Sequence, residues 1–265
     1  MGTDIGTDPS TGSPKGSGLT LALLAFSHAV VHALSALLPL AYPYVIKQFA
    51  LQAGDIGLLI AITSAVGGLM QLSYGFLTRR VARPVLLGAG QIVFGVFLMV
   101  AGLAQNLGQL IAAISGVRIG SSPQHPVGNA LLSDLYPATR RGFAISAHIS
   151  GGNVGTLLVP FVGLALIHAI GWQATVAVFG IPALLAGGTI LLTVREDHGA
   201  YRRAAEASGT PREHFLAVIA RKDLRAILGA SLVAAGGRGL DIVAPFMLLY
   251  LQGPLGLSEE TTALL

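Results

Sequence analysis

The sequence predicts an all-α membrane protein, and three observations carry that reading. The 265 residues are 53% hydrophobic and only 11% charged, with a mean hydropathy of +0.72, whereas a soluble domain carries roughly 25% charged residues. The apolar residues fall in long unbroken runs, each close to or above the ~20 residues with which a helix crosses a bilayer. The basic residues fall almost entirely in the connections that one side of a membrane would receive. The runs lack the ten-residue alternation of a membrane β-barrel. High hydrophobicity, the absence of a Gly-X-Y period and the absence of cysteine exclude a disordered chain, a collagen and a disulfide scaffold.

Residues 1–18 are rich in Gly, Ser, Thr, Pro and Asp with one Lys15, and lack the basic start and apolar core of a signal peptide. They predict a disordered N-terminal tail. Seven apolar spans follow: Leu19 to Ile46, Ile56 to Thr78, Val85 to Ala104, Leu107 to Leu132, Phe143 to Ile170, Gln173 to Val194 and Leu224 to Leu251. The segment 195–223 between spans six and seven is the one long polar connection, broken by Gly209 and Pro211, and reads as the join between two halves. This divides the chain into a tail (1–18), a six-helix half (19–194), a cytoplasmic inter-half loop (195–223) and the start of a second half (224–265). The last residues, LSEETTALL, read as a further helix start, with Ser258 as N-cap and Glu259 and Glu260 in the first turn.

Of the sixteen lysines and arginines, thirteen fall on one side of this topology, only Lys47 on the other, and Arg118 and Arg238 inside helices. Cytoplasmic loops retain positive charge, so the N-terminus is placed in the cytoplasm. The net charge of +4 thus reports topology and attraction to anionic lipid headgroups, and no nucleic-acid partner is expected.

Polar groups at membrane depth cost energy in hydrocarbon and so face a cavity or each other. His28 and His32 of the first span lie at i, i+4, on one helix face. Ser115, Arg118, Ser122, His125 and Asn129 of the fourth span recur at intervals of 3, 4, 3 and 4, a single stripe, within which Pro123 and Pro126 free backbone carbonyls. Arg238 and Asp241 of the seventh span lie at i, i+3. The histidines have two readings, neutral structural hydrogen bonders or proton carriers, and Arg238 and Asp241 either neutralise each other or face a cavity. Arg118 has no acid within reach on its own helix, which points to a water-filled cavity or an anionic ligand. Helix five carries Gly151, Gly152 and Gly155 with Pro160, a GxxxG-type packing face. Span two shows a comparable face in Ser64, Gly67, Gly68, Gln71 and Gly75.

These residues resemble the major facilitator superfamily of secondary transporters. Gly75 to Pro84, GFLTRRVARP, is similar to its gating signature between helices two and three, represented here by Gly75, Arg79, Arg80 and Arg83. Arg79 stands where the signature has an aspartate and Ala82 where it has a glycine. Arg118 matches the superfamily's helix-four arginine, and Gly155 to Gly163 partly matches the glycine-proline motif of antiporters. HPVGNALLSDLYP from His125, GGNVG from Gly151, the paired histidines and Arg238 ahead of APFMLLYL resemble the fosmidomycin-resistance-like efflux branch.

The resemblance implies the N-terminal six-helix half of a major facilitator fold plus helix seven and the start of helix eight, C-terminally truncated. It implies a bacterial inner-membrane transporter, monomeric when complete, that exchanges protons for a small-molecule substrate with no cofactor beyond the proton gradient. Substrate binding is expected from His28, His32, Gln71, Arg118, His125, Asn129 and Arg238, and proton coupling from His28, His125 and Asp241. A metal site from His28, His32, His125 and His148 is weighed and not expected, because no carboxylates accompany them. A hydrolase built on Ser146 and His148 fails because residues two apart point to different faces. A nonfunctional membrane fragment is the competing reading.

Overall fold

The computed structural model describes residues 17–207, 209–237 and 240–264, and among them the regular structure is helical throughout. The elements are α1 (Ser17–Phe49), α2 (Ala53–Leu77), α3 (Arg83–Ala101), α4 (Leu107–Ser121), α5 (Gln124–Leu135), α6 (Ala138–Val178), α7 (Gly180–Thr193), α8 (His198–Ala207), α9 (Pro211–Ala220), α10 (Lys222–Gly237), α11 (Leu240–Gln252) and α12 (Glu259–Leu264). The expected disordered tail lies outside the described residues but for Ser17 and Gly18.

The differences from the seven expected spans have local causes. The fourth breaks into α4 and α5 at Ser122–Pro123, because Pro123 and Pro126 lack the N–H groups that would carry the ladder through. The fifth and the start of the sixth run together as α6, reversed at Gly171, whose φ of +79° suits only glycine. Pro182 cannot donate to Val178, and the sixth span restarts there as α7. The connection expected as a loop holds α8 and α9. They are separated at Gly209 (φ +116°), and Thr210 caps α9 by accepting from Glu213 N at 3.2 Å. Ser258 Oγ accepts from Thr261 N at 3.2 Å, as a helix N-cap does.

Two glycine seams set the packing. The α6 glycines meet α1: a Cβ on Gly151 or Gly155 would stand 2.3 or 2.0 Å from the carbonyl oxygen of Ala25 or Ala29. With His168 near Tyr44 and Trp172 near Gln48 further along, α1 and the long arm of α6 run parallel. The second seam joins α3 and Gly102 just after it to α7, α4 and the last turns of α6. Gly88 faces the carbonyl of Gly187, Gly95 that of Gly180, Gly102 that of Gln173 and Gly90 that of Gly120, all within 3.0 Å of an added Cβ. Here the partners run antiparallel.

One end of the bundle gathers Arg79, Arg80, Arg83, Asp134 and Glu196. At the other, Trp172 Nε1 donates to Gln48 Oε1 at 2.8 Å and Gln173 Nε2 to the Ala104 carbonyl at 2.8 Å, binding α6 to α1 and to the connection after α3. The usual arrangement of a soluble protein is inverted: Ser27, His28, Gln91, Gln124 and His148 are at most 1% exposed, while Leu69, Leu72, Phe143 and Leu192 stand well out. Such an apolar exterior suits lipid.

Candidate substrate and proton site

Four histidines from three helices meet inside the bundle. His28 and His32 come from successive turns of α1, His125 from the first turn of α5 and His148 from α6. The ring of His28 is 4.5 Å from His32, 4.7 Å from His125 and 4.4 Å from His148, the last pair stacked. The nearest ring nitrogens of His28, His32 and His125 all lie within 4.8 Å of one another. Because the His148 carbonyl can only accept, His28 Nδ1 carries the proton and donates to it at 2.9 Å. His28 Nε2 is therefore a lone pair, buried without a hydrogen-bond partner among the described residues, as are both ring nitrogens of His148.

Burial grades across the cluster: His28 and His148 are enclosed, His32 is half-buried and His125 is exposed. The glycines around it keep room for the rings. A Cβ on Gly152 would meet His32 and His28 at 3.0 and 3.1 Å, and one on Gly128 would meet His148 Nε2 at 3.3 Å. Beneath the cluster, Gln124 Nε2 donates to Ser27 Oγ at 2.5 Å and Gln91 Nε2 to the Ser27 carbonyl at 3.1 Å.

Arg118 lies half-buried on α4, its stem beside Gly67 of α2, where an added Cβ would meet Arg118 Cβ at 3.3 Å. Among the described residues no carboxylate pairs with it. The five-residue stripe expected across α4 and α5 is not uniform. Ser122 turns into the bundle, 3% exposed, with its hydroxyl 2.9 Å from that of Tyr74. Asn129 remains half-buried with Oδ1 unpartnered. On α2, Gln71 is exposed and shares a face with Ser64, Gly68 and Gly75, distinct from the bulky face of Ile62, Leu69 and Phe76. Arg238 and the side chain of Asp241 lie outside the described residues.

The expected packing set divides. Gly151 and Gly155 touch the α1 backbone, Gly152 instead gives room to the histidines, and Pro160 sits half-buried within a helix that continues past it.

At the arginine end, Arg83 is 3% exposed. Its Nε reaches Glu196 Oε1 at 2.5 Å and its Nη1 reaches Asp134 Oδ2 at 2.7 Å. Its backbone N–H donates to Glu196 Oε2 at 2.8 Å, and its guanidinium stands 4.3 Å from the centre of the Tyr201 ring. Arg79 Nη1 donates to the Gly209 carbonyl at 2.9 Å, Arg80 is exposed and Gly75 borders a cavity of about 690 Å³ between α2, α5, α8 and α9. That cavity adjoins this paired cluster and not the histidines. At the opposite end Tyr44 donates to Glu259, which also lies 2.8 Å from His168 Nε2, tying α12 to α1 and α6.

Gln91, Gln124 and Glu196 carry no functional signal in the sequence, and His148 enters there only in the metal and hydrolase readings that are not expected. For His148 a signal existed: it shares a helix face with Gly152 and Gly155, at i, i+4 and i+7.

A helical bundle that buries polar groups between glycine seams and turns an apolar face outward matches one family over nearly its whole length: residues 24–265 fit the Major Facilitator Superfamily. The chain belongs to the major facilitator superfamily. Within it, the chain is 28% identical over 183 residues to a probable L-galactonate transporter of Escherichia coli, covering 68% of this chain and 40% of that protein. It is 29% identical to a probable 4-methylmuconolactone transporter of Cupriavidus pinatubonensis, covering 70% and 43%. It is 27% identical to the multidrug resistance protein MdtG of Escherichia coli, covering 53% and 34%.

The fold is similar to that of a bacterial homolog of the human lysosomal transporter Spinster in an inward-facing, unoccupied conformation. The TM-score is 0.74 at 21% identity, covering 95% of this chain and 59% of that one. The chain thus spans less than half the length of these sequence relatives, with a six-helix half of the superfamily fold as its body.

Proposed function

We propose that the chain is the N-terminal part of a proton-coupled secondary transporter, monomeric and cytoplasmic at its N-terminus in a bacterial inner membrane. It exports a small anionic or zwitterionic compound by alternating access. The observation that carries this reading is Arg118. A guanidinium at membrane depth that meets no carboxylate among the described residues is costly, and an anion arriving in the cavity offsets that cost. The substrate sits near the bilayer midplane between two halves that rock about it. His32, Gln71, His125, Asn129 and Arg238 complete the binding surface. His28, His125 and Asp241 take up and release the proton, the imidazoles because histidine changes charge near neutral pH. Gly75, Arg79, Arg80 and Arg83 form the gate at the arginine end.

Export, along the fosmidomycin-resistance-like line, draws support from the relatives named for multidrug resistance. Uptake of an organic acid by the same fold is the second reading, favoured by the relatives named for galactonate and 4-methylmuconolactone transport.

The test is substrate-induced proton movement in vesicles of defined orientation, for this chain and for its extended gene product. Arg118→Ala is expected to abolish movement while inserting normally. Undiminished movement in that variant overturns the anionic-substrate reading, and no movement in any form leaves a membrane fragment without transport.

A further inference from the structure

The histidine cluster has more converging donors than proton traffic requires. One added proton engages one lone pair, or two if shared between rings. Here α1 and α5 bring nitrogens of three imidazoles within 4.8 Å of one another. The arrangement of His28 is that of a preset ligand: Nδ1–H is spent on a backbone carbonyl at 2.9 Å, which leaves Nε2 deprotonated, buried and without a hydrogen-bond partner among the described residues. Metal-binding histidines are oriented in this way by a carbonyl or carboxylate on the far nitrogen.

The geometry points to a site for one borderline-soft dication of the zinc, cobalt or nickel type, held by His28, His32 and His125. A tetrahedral ion with Zn–N bonds of about 2.0–2.1 Å needs its nitrogens roughly 3.4 Å apart, so nitrogens within 4.8 Å of one another must close by up to about 1.4 Å. The exposed His125 has room to do so, and Gly152, whose Cβ would touch both α1 rings, leaves the space beside His28 and His32. Hard cations such as Mg²⁺ are not expected, because they prefer oxygen ligands.

Three neutral imidazoles leave the full charge of the dication in place. The fourth position, on the exposed His125 side, is therefore expected to hold hydroxide or an anionic oxygen. That this oxygen belongs to the carried anion rests on the transporter reading above; the metal site itself does not.

The experiment is thermal unfolding of the purified 265-residue chain in detergent with Zn²⁺ or Co²⁺ against Mg²⁺, without substrate or proton gradient. The expected result is a rise of several degrees with Zn²⁺ and Co²⁺ only, with the intense visible absorption of four-coordinate cobalt. Both are lost in His125→Ala and His32→Ala and kept in His198→Ala, which removes a histidine from the arginine end. Gly152→Val, which fills the space beside the rings, weakens the shift without removing a ligand. No metal-specific shift, or one that folded His125→Ala retains or that His198→Ala abolishes, overturns the site. Because no transport is read, its failure leaves the export reading standing. Zinc binding without any proton movement in the extended protein would sink export alone.

Discussion

The arginine end and the histidine cluster are both buried polar assemblies in one helical bundle, and they differ in what is left over. At the arginine end the most deeply buried charge is used: Arg83 holds two carboxylates and lies over an aromatic ring, and only His198 Nδ1 is left buried there without a partner among the described residues. In the middle of the bundle, among the described residues, buried nitrogens of His28 and His148 have no partner and no carboxylate pairs with Arg118. A satisfied network fixes helices in place, whereas an unsatisfied one is a standing cost that an incoming ligand, ion or proton can relieve. The first region is where stability is concentrated, and the second is where chemistry can occur.

The largest stability effect is therefore expected from Arg83→Ala. It leaves Glu196, with a side chain only 5% exposed, as an uncompensated buried charge, for which the cost is about 3–5 kcal/mol. Thermal unfolding in detergent reads this, and Arg83→Lys is expected to recover only part, since an ammonium cannot span both acids in a planar fork. A loss below about 1 kcal/mol for Arg83→Ala, within the range of an exposed pair, would erase the distinction between the two regions.

Next come the helix seams. Gly155→Ala places a methyl 2.0 Å from the Ala29 carbonyl oxygen, so α1 and α6 must separate, at about 1–3 kcal/mol for overpacking. Separation also moves His28 and His32 away from His148. Gly142→Ala in the same helix meets nothing within 4 Å and is expected to be neutral or stabilising by up to about 1 kcal/mol. Equal effects at the two positions would show that the close approach does not hold the helices.

Much of this was legible in the chain. Apolar runs of bilayer length gave the helices, the thirteen-to-one division of basic residues marked the arginine end, and the i, i+4 spacing of His28 and His32 put them on one face. Arg118 stood out for want of an acid on its own helix. What escaped depends on contacts between distant residues. Arg83 meets Asp134 and Glu196 at separations of 51 and 113 residues, and no helical period connects them. His148 joins His28 only because α6 runs parallel to α1 at glycine-seam distance. The seam of Gly88, Gly90, Gly95 and Gly102 was hidden because a glycine's role in packing depends on what stands opposite. The helix break at Ser122–Pro123 was visible as two prolines, yet whether they bend or end a helix is settled by the surrounding bundle.

Arg118→Ala sharpens the contrast from the other side. Removing a charge that meets no carboxylate among the described residues strands none of them, so the unfolding midpoint is expected to stay within about 0.5 kcal/mol of the parent, the range of substitutions that disturb no network. The loss would appear in transport alone. A destabilisation as large as that of Arg83→Ala would mean that Arg118 belongs to a structural network after all.

The smallest effects lie within the paired region itself and separate distance from burial. Three carboxylates contact an arginine at nearly the same range: Glu196 at 2.5 Å, Asp134 at 2.7 Å and Asp223, which meets Arg221, at 2.5 Å. Side-chain exposure is 5% for Glu196 but 59% for the other two. Solvent screens the exposed pairs, so Asp134→Asn is expected to cost at most about 1 kcal/mol, well below Glu196→Gln.

Asp223 gives the limiting case. The Arg221 hydrogen bond holds its carboxyl below the usual carboxylate range. Its contribution is present above the ordinary aspartate pKa and is lost as pH falls through the lowered value. Solvent exposure makes that contribution small, and added salt is expected to reduce it further. Asp223→Asn should accordingly leave the unfolding midpoint unchanged from neutral pH down through the acid range, whereas Glu196→Gln lowers it at neutral pH in both low and high salt. If Asp134→Asn proved as costly as Glu196→Gln, contact distance rather than burial would be the controlling variable, and Arg83 would be held equally by both acids.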